Sequence, residues 1–216
     1  MSKILVIDSS SRGVGSVSRA MTQQFIKAFS EGSEDSCIVY RDLVKSSLPH
    51  LSADAIEGFF SPEPSLRAKR ATVVSDQLIA ELMEADLVCL GMPVYNFNVP
   101  SAMKAYIDQV VRIGRTFQKV GDGNLEGLCR GKRMLVLYSM GGIYQGSEMD
   151  FVRPYMKVIA DFMGFESCDF VAIEGTSRGG FSLDERLAEA SESIDLYLAE
   201  KGLLEAKDRE KAACLS

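Results

Sequence analysis

Serine and glycine are concentrated in one short segment near the start of the chain. Residues 9–19 read SSSRGVGSVSR, with five serines and two glycines between an apolar run and an amphipathic one. Hydroxyl groups, close-approaching backbone amides and a helix N-terminus together favour an anion such as a terminal phosphate. The glycine spacing matches neither GxxxxGK[ST] nor GxGxxG. Serine is also a common N-cap residue of helices, and this simpler role of Ser16 and Ser18 stays open.

A second segment combines aromatic residues with prolines and asparagines. Residues 92–100 read MPVYNFNVP, which places Tyr95 and Phe97 directly after an apolar run. No helix is expected to begin before Pro100, because proline disfavours the helical conformation in the residue that precedes it. Aromatic side chains in such a loop are suited to a flat, largely apolar ring system, whose polar edge the loop amides could bind. Ordinary packing is the alternative.

A third segment, SMGGI at Ser139–Ile143, ends another apolar run with paired glycines. Its bare backbone amides would be preorganised donors for a ligand that gains negative charge during reaction. A simple turn is the alternative interpretation.

Other residue types that often carry chemistry are scarce or scattered. The single histidine, His50, follows a proline in a loop-like stretch, so we expect a solvated residue and not a catalytic base. The cysteines are odd in number, widely spaced and without a CxxC pair: Cys37, Cys89, Cys129, Cys168 and Cys214. We therefore expect free thiols, no disulfide and no metal site.

Alternating strands and helices must position the three segments. Hydrophobic runs predict strands at Lys3–Asp8, Cys37–Tyr40, Asp86–Met92, Lys132–Ser139 and Cys168–Ile173. Helical periodicity predicts helices at Val17–Ser30, Arg67–Glu84, Ser101–Val111, Asp150–Met163 and Ser182–Glu200. The stretch from Asp42 to Leu66 has little periodicity and predicts a long surface excursion.

This alternation predicts an α/β fold with a doubly wound, five-stranded parallel sheet of order 2-1-3-4-5. Ligands of such sheets bind beyond the carboxyl ends of strands one and three, where the three segments converge. We expect one domain over residues 1–202 and a charged C-terminal tail over 203–216.

Composition limits the classes of partner. The chain has 216 residues, 46% of them hydrophobic, and a formal net charge of −6. This acidic balance argues against nucleic acid and anionic membranes as partners. No apolar run is long enough to cross a bilayer, and MSKILVID leads directly into a strand, so a cytoplasmic location is expected.

The chain resembles the bacterial FMN-dependent NADH-azoreductases, a branch of the flavodoxin-like quinone reductases. The segments that carry the resemblance are SKILVIDSS, GSVS, PVYNFNVPSAMKAYIDQVVRIGRTF, SMGGI and the later PYM and IEG. It extends over nearly the whole chain to about Glu200. Three differences from the family are Met140, where arginine is familiar, residues 118–127 (QKVGDGNLEG), which indicate a polar, glycine-rich lid, and Asp54–Lys69, which matches poorly.

The resemblance implies which residues hold FMN. Phosphate contacts fall on Ser10, Ser16, Val17 and Ser18. Contacts to the isoalloxazine ring fall on Val94, Tyr95, Asn96 and Phe97, and contacts on its pyrimidine side on Ser139, Met140, Gly141 and Gly142. It also implies a homodimer with one FMN per subunit.

The implied activity is ping-pong hydride transfer from NADH or NADPH to quinones, reduced by two electrons, or to azo compounds. No side-chain acid or base is assigned. A flavodoxin-type electron carrier without its own substrate is the main alternative. A hydrolase is disfavoured by the lone histidine and the missing metal ligands.

Overall fold

A five-stranded parallel sheet forms the centre of the computed structural model, which describes residues 2–32 and 36–204. In chain order the strands are β1 (Ser2–Asp8), β2 (Ser36–Asp42), β3 (Leu87–Pro93), β4 (Phe117–Val120), β5 (Asn124–Gly127), β6 (Arg133–Ser139) and β7 (Ser167–Ile173). The sheet order is β2-β1-β3-β6-β7. All five strands predicted for the sheet are confirmed, with bounds within one or two residues.

Helices cover both faces of this sheet. They are α1 (Val17–Gly32), α2 (Leu43–Ser46), α3 (Ala53–Phe60), α4 (Leu66–Ala71), α5 (Val73–Glu84), α6 (Ser101–Val110), α7 (Val152–Met163) and α8 (Leu183–Glu200). Ile4 and Val6 of β1 pack with α1 and α8, whereas Leu5 and Ile7 pack with the helices of the opposite face. Burial on both faces explains the unbroken apolar run of this strand. Among the described helices, none is long and apolar enough to cross a bilayer.

The excursion between Asp42 and Leu66 contains two short helices, which the sequence analysis missed. The Asp42 carboxylate accepts the N–H groups of Val44 and Lys45 at the start of α2. The Ser52 hydroxyl accepts the N–H of Ala55 at the start of α3. Each helix is therefore capped by a side chain, but each is too short to produce a clear hydrophobic period.

The single helix predicted at Arg67–Glu84 is wrong, because the chain forms α4 and α5 with a break at Thr72. The Thr72 hydroxyl donates to the carbonyl of Lys69 at 3.0 Å, and the Thr72 N–H donates to the carbonyl of Ala68 at 3.2 Å. Gly58 of α3 lies so close that an added Cβ would overlap the Thr72 side chain. The break thus accompanies close packing of α3 on α4.

Residues 118–127, for which the sequence predicts a polar, glycine-rich lid, lie within a β-hairpin. β4 and β5 pair antiparallel around a turn in which Gly121 and Gly123 have positive φ values of 50° and 92°. At the base of the hairpin, a Cβ on Gly127 would overlap the backbone of Gly164 at the end of α7. Because this hairpin precedes the fourth strand of the sheet, the predicted order 2-1-3-4-5 becomes β2-β1-β3-β6-β7 when all strands of the described chain are numbered.

The buried core of the described chain includes residues beyond 202. Leu203 and Leu204, which the sequence analysis assigned to the tail, are buried in the core beside α1 and α8. Gly32 makes room for Leu204, whose side chain would overlap a Cβ at that position. Residues 205–216, which form the rest of the predicted tail, lie outside the described residues.

Candidate functional site

Sheet register brings the three predicted loops to one edge of the molecule. Asp8 lies opposite Gly91 across the β1–β3 pair, and Pro93 lies opposite Ser139 across the β3–β6 pair. A cleft of about 150 Å³ opens between the loops that follow β1, β3 and β6. The predicted residues that line it are Ser10, Ser16, Val17, Val94, Tyr95, Ser139, Met140 and Gly141. The predicted residues outside its lining are Ser18, Asn96, Phe97 and Gly142.

The first loop presents the N-terminus of α1 to this cleft. Ser16 caps the helix, since its hydroxyl accepts the N–H of Arg19 at 3.4 Å and its carbonyl accepts that of Ala20 at 3.1 Å. Within residues 2–32 and 36–204, the N–H groups of Val17 and Ser18 have no acceptor. The first turn of α1 contains no acidic residue. Unpaired N–H groups and the helix dipole at this end attract an anion.

The backbone around these donors is open. Gly15 has a φ of +80°, and a Cβ at this position would have no heavy atom within 4 Å. The Ser10 hydroxyl accepts the N–H of Arg12 at 3.2 Å and lines the cleft beside it. Arg12 is the one basic residue among the described residues that line the cleft. Hydroxyls, free amides and one guanidinium form a donor set that fits a phosphate monoester.

The second loop contains a tight two-residue turn. Asn96 and Phe97 have φ values of 50° and 66°, and the flanking Tyr95 and Asn98 exchange backbone hydrogen bonds of 3.0 and 3.1 Å. Two successive left-handed residues are typical of a type I′ turn. The N–H of Val94 donates to the Ser139 carbonyl at 2.7 Å. The N–H groups of Val94 and Tyr95 are therefore both used within the protein.

The third loop keeps two free backbone donors. The N–H of Met140 donates to the carbonyl of Ile173 at 2.9 Å, and the Met140 side chain is buried in the core. The N–H groups of Gly141 and Gly142 have no acceptor within the described part of the chain. Met140 therefore fixes this loop to the sheet, and the two glycines keep N–H groups that no acceptor in the described chain uses.

A fourth loop, after β7, was not predicted from the sequence. The N–H of Thr176 donates to the Met140 carbonyl at 3.1 Å, and that of Ser177 donates to the Gly141 carbonyl at 3.2 Å. Both hydroxyl residues line the cleft. The available signal was their position just after the fifth strand, at the same edge of the sheet as the other loops.

Phe97 and Tyr144 form an aromatic pair that joins the second loop to the segment after the third loop. Their rings are in contact, and Phe97 remains 43% exposed. The N–H of Tyr144 donates to the Glu174 carboxylate at 2.6 Å. A Cβ at Gly142 would overlap the Tyr144 ring, so this glycine permits the ring to lie against the third loop. Tyr144 was missed from the sequence because it follows the glycine pair in an aperiodic stretch.

A cluster of charged and hydroxyl groups lies beneath the first loop. Asp8, fully buried, accepts hydrogen bonds from the hydroxyls of Thr22 (3.1 Å) and Tyr40 (2.7 Å). Burial raises the pKa of Asp8 above its ordinary value, against the opposing effects of Tyr40 and Arg19. Burial also acts to raise the pKa of Asp42, but hydrogen bonds from Arg19 and from backbone N–H groups outweigh it and lower that pKa. Asp42 is therefore the more readily ionised of the two acids.

The histidine and the cysteines, which the sequence analysis also considered, are unreactive or lie outside the lining of the cleft. His50 is exposed in a loop, as expected. The described cysteines are free thiols: Cys37, Cys89, Cys129 and Cys168. Burial raises the pKa of Cys129 to about 12, which disfavours a reactive thiolate. Cys214 lies outside the described residues. Residues 2–32 and 36–204 contain no group of side chains that could hold a metal ion.

Comparison with known proteins identifies the family. Residues 2–198 match the model of a family described by its flavodoxin-like fold. An FMN-dependent NADH:quinone oxidoreductase from Azotobacter vinelandii is 40% identical over 196 residues, which cover 90% of this chain and 98% of the relative. FMN-dependent NADH:quinone oxidoreductase 1 from Trichormus variabilis is 39% identical over 194 residues, covering 89% and 93%.

A solved structure shows the same fold. The crystal structure of azoreductase from Bacillus anthracis matches with a TM-score of 0.82 and 27% identity, covering 90% of this chain and 97% of that one. The chain therefore belongs to the flavodoxin-like fold family and, within it, to the group that contains these FMN-dependent NADH:quinone oxidoreductases.

Proposed function

We propose that the protein is an FMN-dependent oxidoreductase that uses NADH or NADPH to reduce quinones by two electrons and to cleave aromatic azo compounds. The observation that carries this proposal is the convergence of three loops, distant in sequence, on one cleft at the carboxyl ends of β1, β3 and β6. The names of the relatives agree with it. The chemistry that FMN supplies when it is bound is the acceptance of a hydride and its transfer to a second substrate.

The phosphate of FMN would be held at the start of α1. Ser10 and Ser16 supply hydroxyls, Val17 and Ser18 supply N–H groups without another acceptor, and Arg12 supplies a cation. All of these are short-range donors that suit a terminal phosphate. A loop of this kind leaves the phosphate end enclosed, so we expect FMN to bind in preference to FAD.

The ring system would lie between the second and third loops. Val94 and Tyr95 provide walls, with Asn96 and Phe97 in the adjoining turn. The Gly141 and Gly142 amides, together with Ser139, would serve the pyrimidine side, where negative charge develops on reduction.

Proton supply is assigned to solvent. The residues that line the cleft in the described chain include no aspartate, glutamate or histidine. His50 is exposed on a separate loop. The work of the protein is therefore to bind, orient and stabilise charge, and no side chain is required as a general acid.

A homodimer is part of the proposal. An apolar groove of about 340 Å³ lies on the face formed by α3, α6 and α7, lined by Leu51, Ile56, Phe59, Phe60, Lys104, Ile107, Asp108, Val111, Tyr155 and Ile159. Phe60 is 64% exposed beside it, and Val158 of α7 is exposed to the same degree. Contiguous apolar surface of this kind favours a second subunit, which would close a cleft that one doubly wound domain leaves open.

A cytoplasmic location is also proposed. The free thiols at Cys37, Cys89, Cys129 and Cys168 suit a reducing compartment, where NADH and NADPH are available. Cell fractionation with antibody detection would test it, and recovery in an oxidising compartment would contradict it.

Spectroscopy of the purified protein tests the central proposal. We expect flavin absorption bands that disappear on anaerobic addition of NADH or NADPH and return on addition of a quinone. Bands that persist with both nucleotides would favour an electron carrier. A protein that stays colourless after incubation with FMN would end the proposal.

A further inference from the structure

Arg19, on the first turn of α1, has every N–H of its guanidinium hydrogen-bonded within the protein. Nε donates to the carbonyl of Arg12 at 3.0 Å. NH1 donates to the Tyr40 hydroxyl at 3.2 Å and to Asp42 at 2.8 Å. NH2 donates to the carbonyl of Ser10 at 2.8 Å and to Asp42 at 3.0 Å. A guanidinium carries five N–H donors, so none remains for a ligand.

Two of these bonds fix the peptide units of the first loop. The carbonyls of Ser10 and Arg12 point toward the guanidinium. In a trans peptide the N–H points opposite to the carbonyl, so the N–H groups of Ser11 and Gly13 point away from Arg19. Arg19 thereby determines how the loop that carries Ser10 and Arg12 displays its donors.

The guanidinium is itself held firmly by the sheet. Asp42, at the end of β2, binds the guanidinium through both carboxylate oxygens. Only 6% of the Asp42 side chain is exposed. The Tyr40 hydroxyl accepts from Arg19 and donates to Asp8, whose carboxylate lies 3.6 Å from the Arg19 NH1. The anchor therefore spans β1 and β2, and a single residue links both strands to the loop.

We propose that Arg19 is a positioning residue for the phosphate of FMN, which it orders without contacting. The inference rests on the proposed FMN site and adds a residue that lies outside the lining of the cleft. The position of residue 19 requires the shape of a guanidinium and not only its charge. A planar fork of five donors can hold two carbonyls and a carboxylate at once, whereas the ammonium group of lysine keeps the charge but not the geometry.

Binding of two flavins tests the proposal. The full-length protein and its Arg19→Lys variant are freed of flavin and titrated with FMN and with riboflavin, which lacks the phosphate. We expect Arg19→Lys to raise the Kd for FMN at least about tenfold and to change that for riboflavin less than about twofold. A general structural defect would weaken both flavins alike, so the ratio of the two Kd values reports positioning alone.

Arg41→Lys is the matched control. Arg41 lies on β2 and, like Arg19, pairs with a carboxylate, that of Glu81, but it has no bond to the first loop. We expect this variant to bind both flavins as the wild type does. If Arg19→Lys does not fold, Asp42→Asn replaces it, because asparagine keeps the cap of α2 and loses the bidentate pair; the same selective loss of FMN is expected.

Two results would overturn the role of Arg19: unchanged FMN affinity in the folded variant, which would show that charge suffices, or equal losses for FMN and riboflavin. Failure of the wild type to bind FMN more tightly than riboflavin is a different outcome. It would count against the proposed phosphate site itself.

Discussion

The rings of Phe97 and Tyr144 lie 5.6 Å apart between centroids and are inclined by 56°, although they belong to loops that follow different strands. This contact joins the turn after β3 to the segment after β6. Phe97 is held there in a left-handed conformation, which is costly for a residue with a Cβ. Strain of this kind is often retained where a side chain has a functional position.

Removal of the Phe97 ring should affect quinone reduction more than cofactor binding. We expect Phe97→Ala to lower kcat/KM for a quinone about tenfold, because hydride transfer requires the acceptor to lie within roughly 3–3.5 Å. The FMN content per subunit, measured by absorbance, should stay near that of the wild type. Parallel losses of FMN content and turnover would show that the ring only supports the cofactor.

The left-handed turn also predicts an unusual order of stability at residue 97. We expect Phe97→Gly to be more stable than Phe97→Ala by about 0.5–1 kcal/mol, since only glycine adopts a positive φ without a Cβ penalty. Urea unfolding of the two variants measures the difference. The usual order, in which alanine is the more stable, would contradict the conformation of the turn.

Ser16 is expected to govern binding of the phosphate. Ser16→Asp places a carboxylate beside the phosphate and should raise the Kd for FMN at least about 100-fold, which corresponds to about 2.7 kcal/mol. Ser16→Ala removes only the hydroxyl and should have a smaller effect. The fold should survive the Asp substitution because Asp also caps helices. FMN affinity that is unchanged in Ser16→Asp would refute the placement of the phosphate.

Quinones should be better acceptors than azo dyes. A flat quinone can stack in the cleft more easily than a bulky diaryl azo compound, so we expect the higher turnover with quinones and hydroquinone as the product. Anaerobic stopped-flow mixing of the reduced enzyme with a quinone measures both. A free quinone radical detected by electron paramagnetic resonance would indicate one-electron transfer and favour a carrier.

Phe60 should contribute to the subunit interface. It is 64% exposed beside the apolar groove, and Phe60→Glu should shift the protein to monomers and lower its activity. Leu196→Glu is the control, because Leu196 is 43% exposed on α8, which covers the opposite face of the sheet. Sedimentation velocity gives the oligomeric state. Full activity of a demonstrably monomeric Phe60→Glu protein would count against a role of the interface in the site.

The raised pKa of Asp8 gives its contribution to stability a defined pH dependence. An acid whose pKa is higher in the folded state stabilises the fold fully below its ordinary pKa of 3.8, and this contribution is lost as the pH rises through the folded pKa. The free energy of unfolding of the flavin-free wild type, relative to Asp8→Asn, should therefore decrease from pH 4 to neutrality. A difference that is constant with pH would mean that Asp8 has an ordinary pKa.

The strands and the cleft were predictable because their signals are local. Short apolar runs ending in serine or glycine mark β1 and β6, and the rule for parallel sheets places their ends together. The hairpin of residues 117–127 was not predictable, because its strands are polar and short, and its position depends on the contact between Gly127 and Gly164. Tertiary packing of this kind leaves no period in the sequence.

The residues beneath the site show the same limit. Arg19 was visible only as a charged residue of a helix, and Asp8 only as the end of a strand. Their roles arise because parallel pairing sets Asp8 beside Asp42 and because Arg19 of α1 binds Asp42. Thr176 and Ser177 were likewise hidden, since they reach the cleft through bonds to the backbone of another loop.

Gly91 is a core residue whose lack of a Cβ affects the geometry of the cleft. A Cβ at this position would overlap both the Asp8 carboxylate and the Thr22 side chain, so α1 can lie close to β3 only while residue 91 is glycine. The distance between the first loop and the turn after β3 therefore depends on residues 8, 22 and 91, which are far apart in sequence. Covariation is the evolutionary consequence: relatives with a larger residue at 91 should carry a smaller one at position 8 or 22.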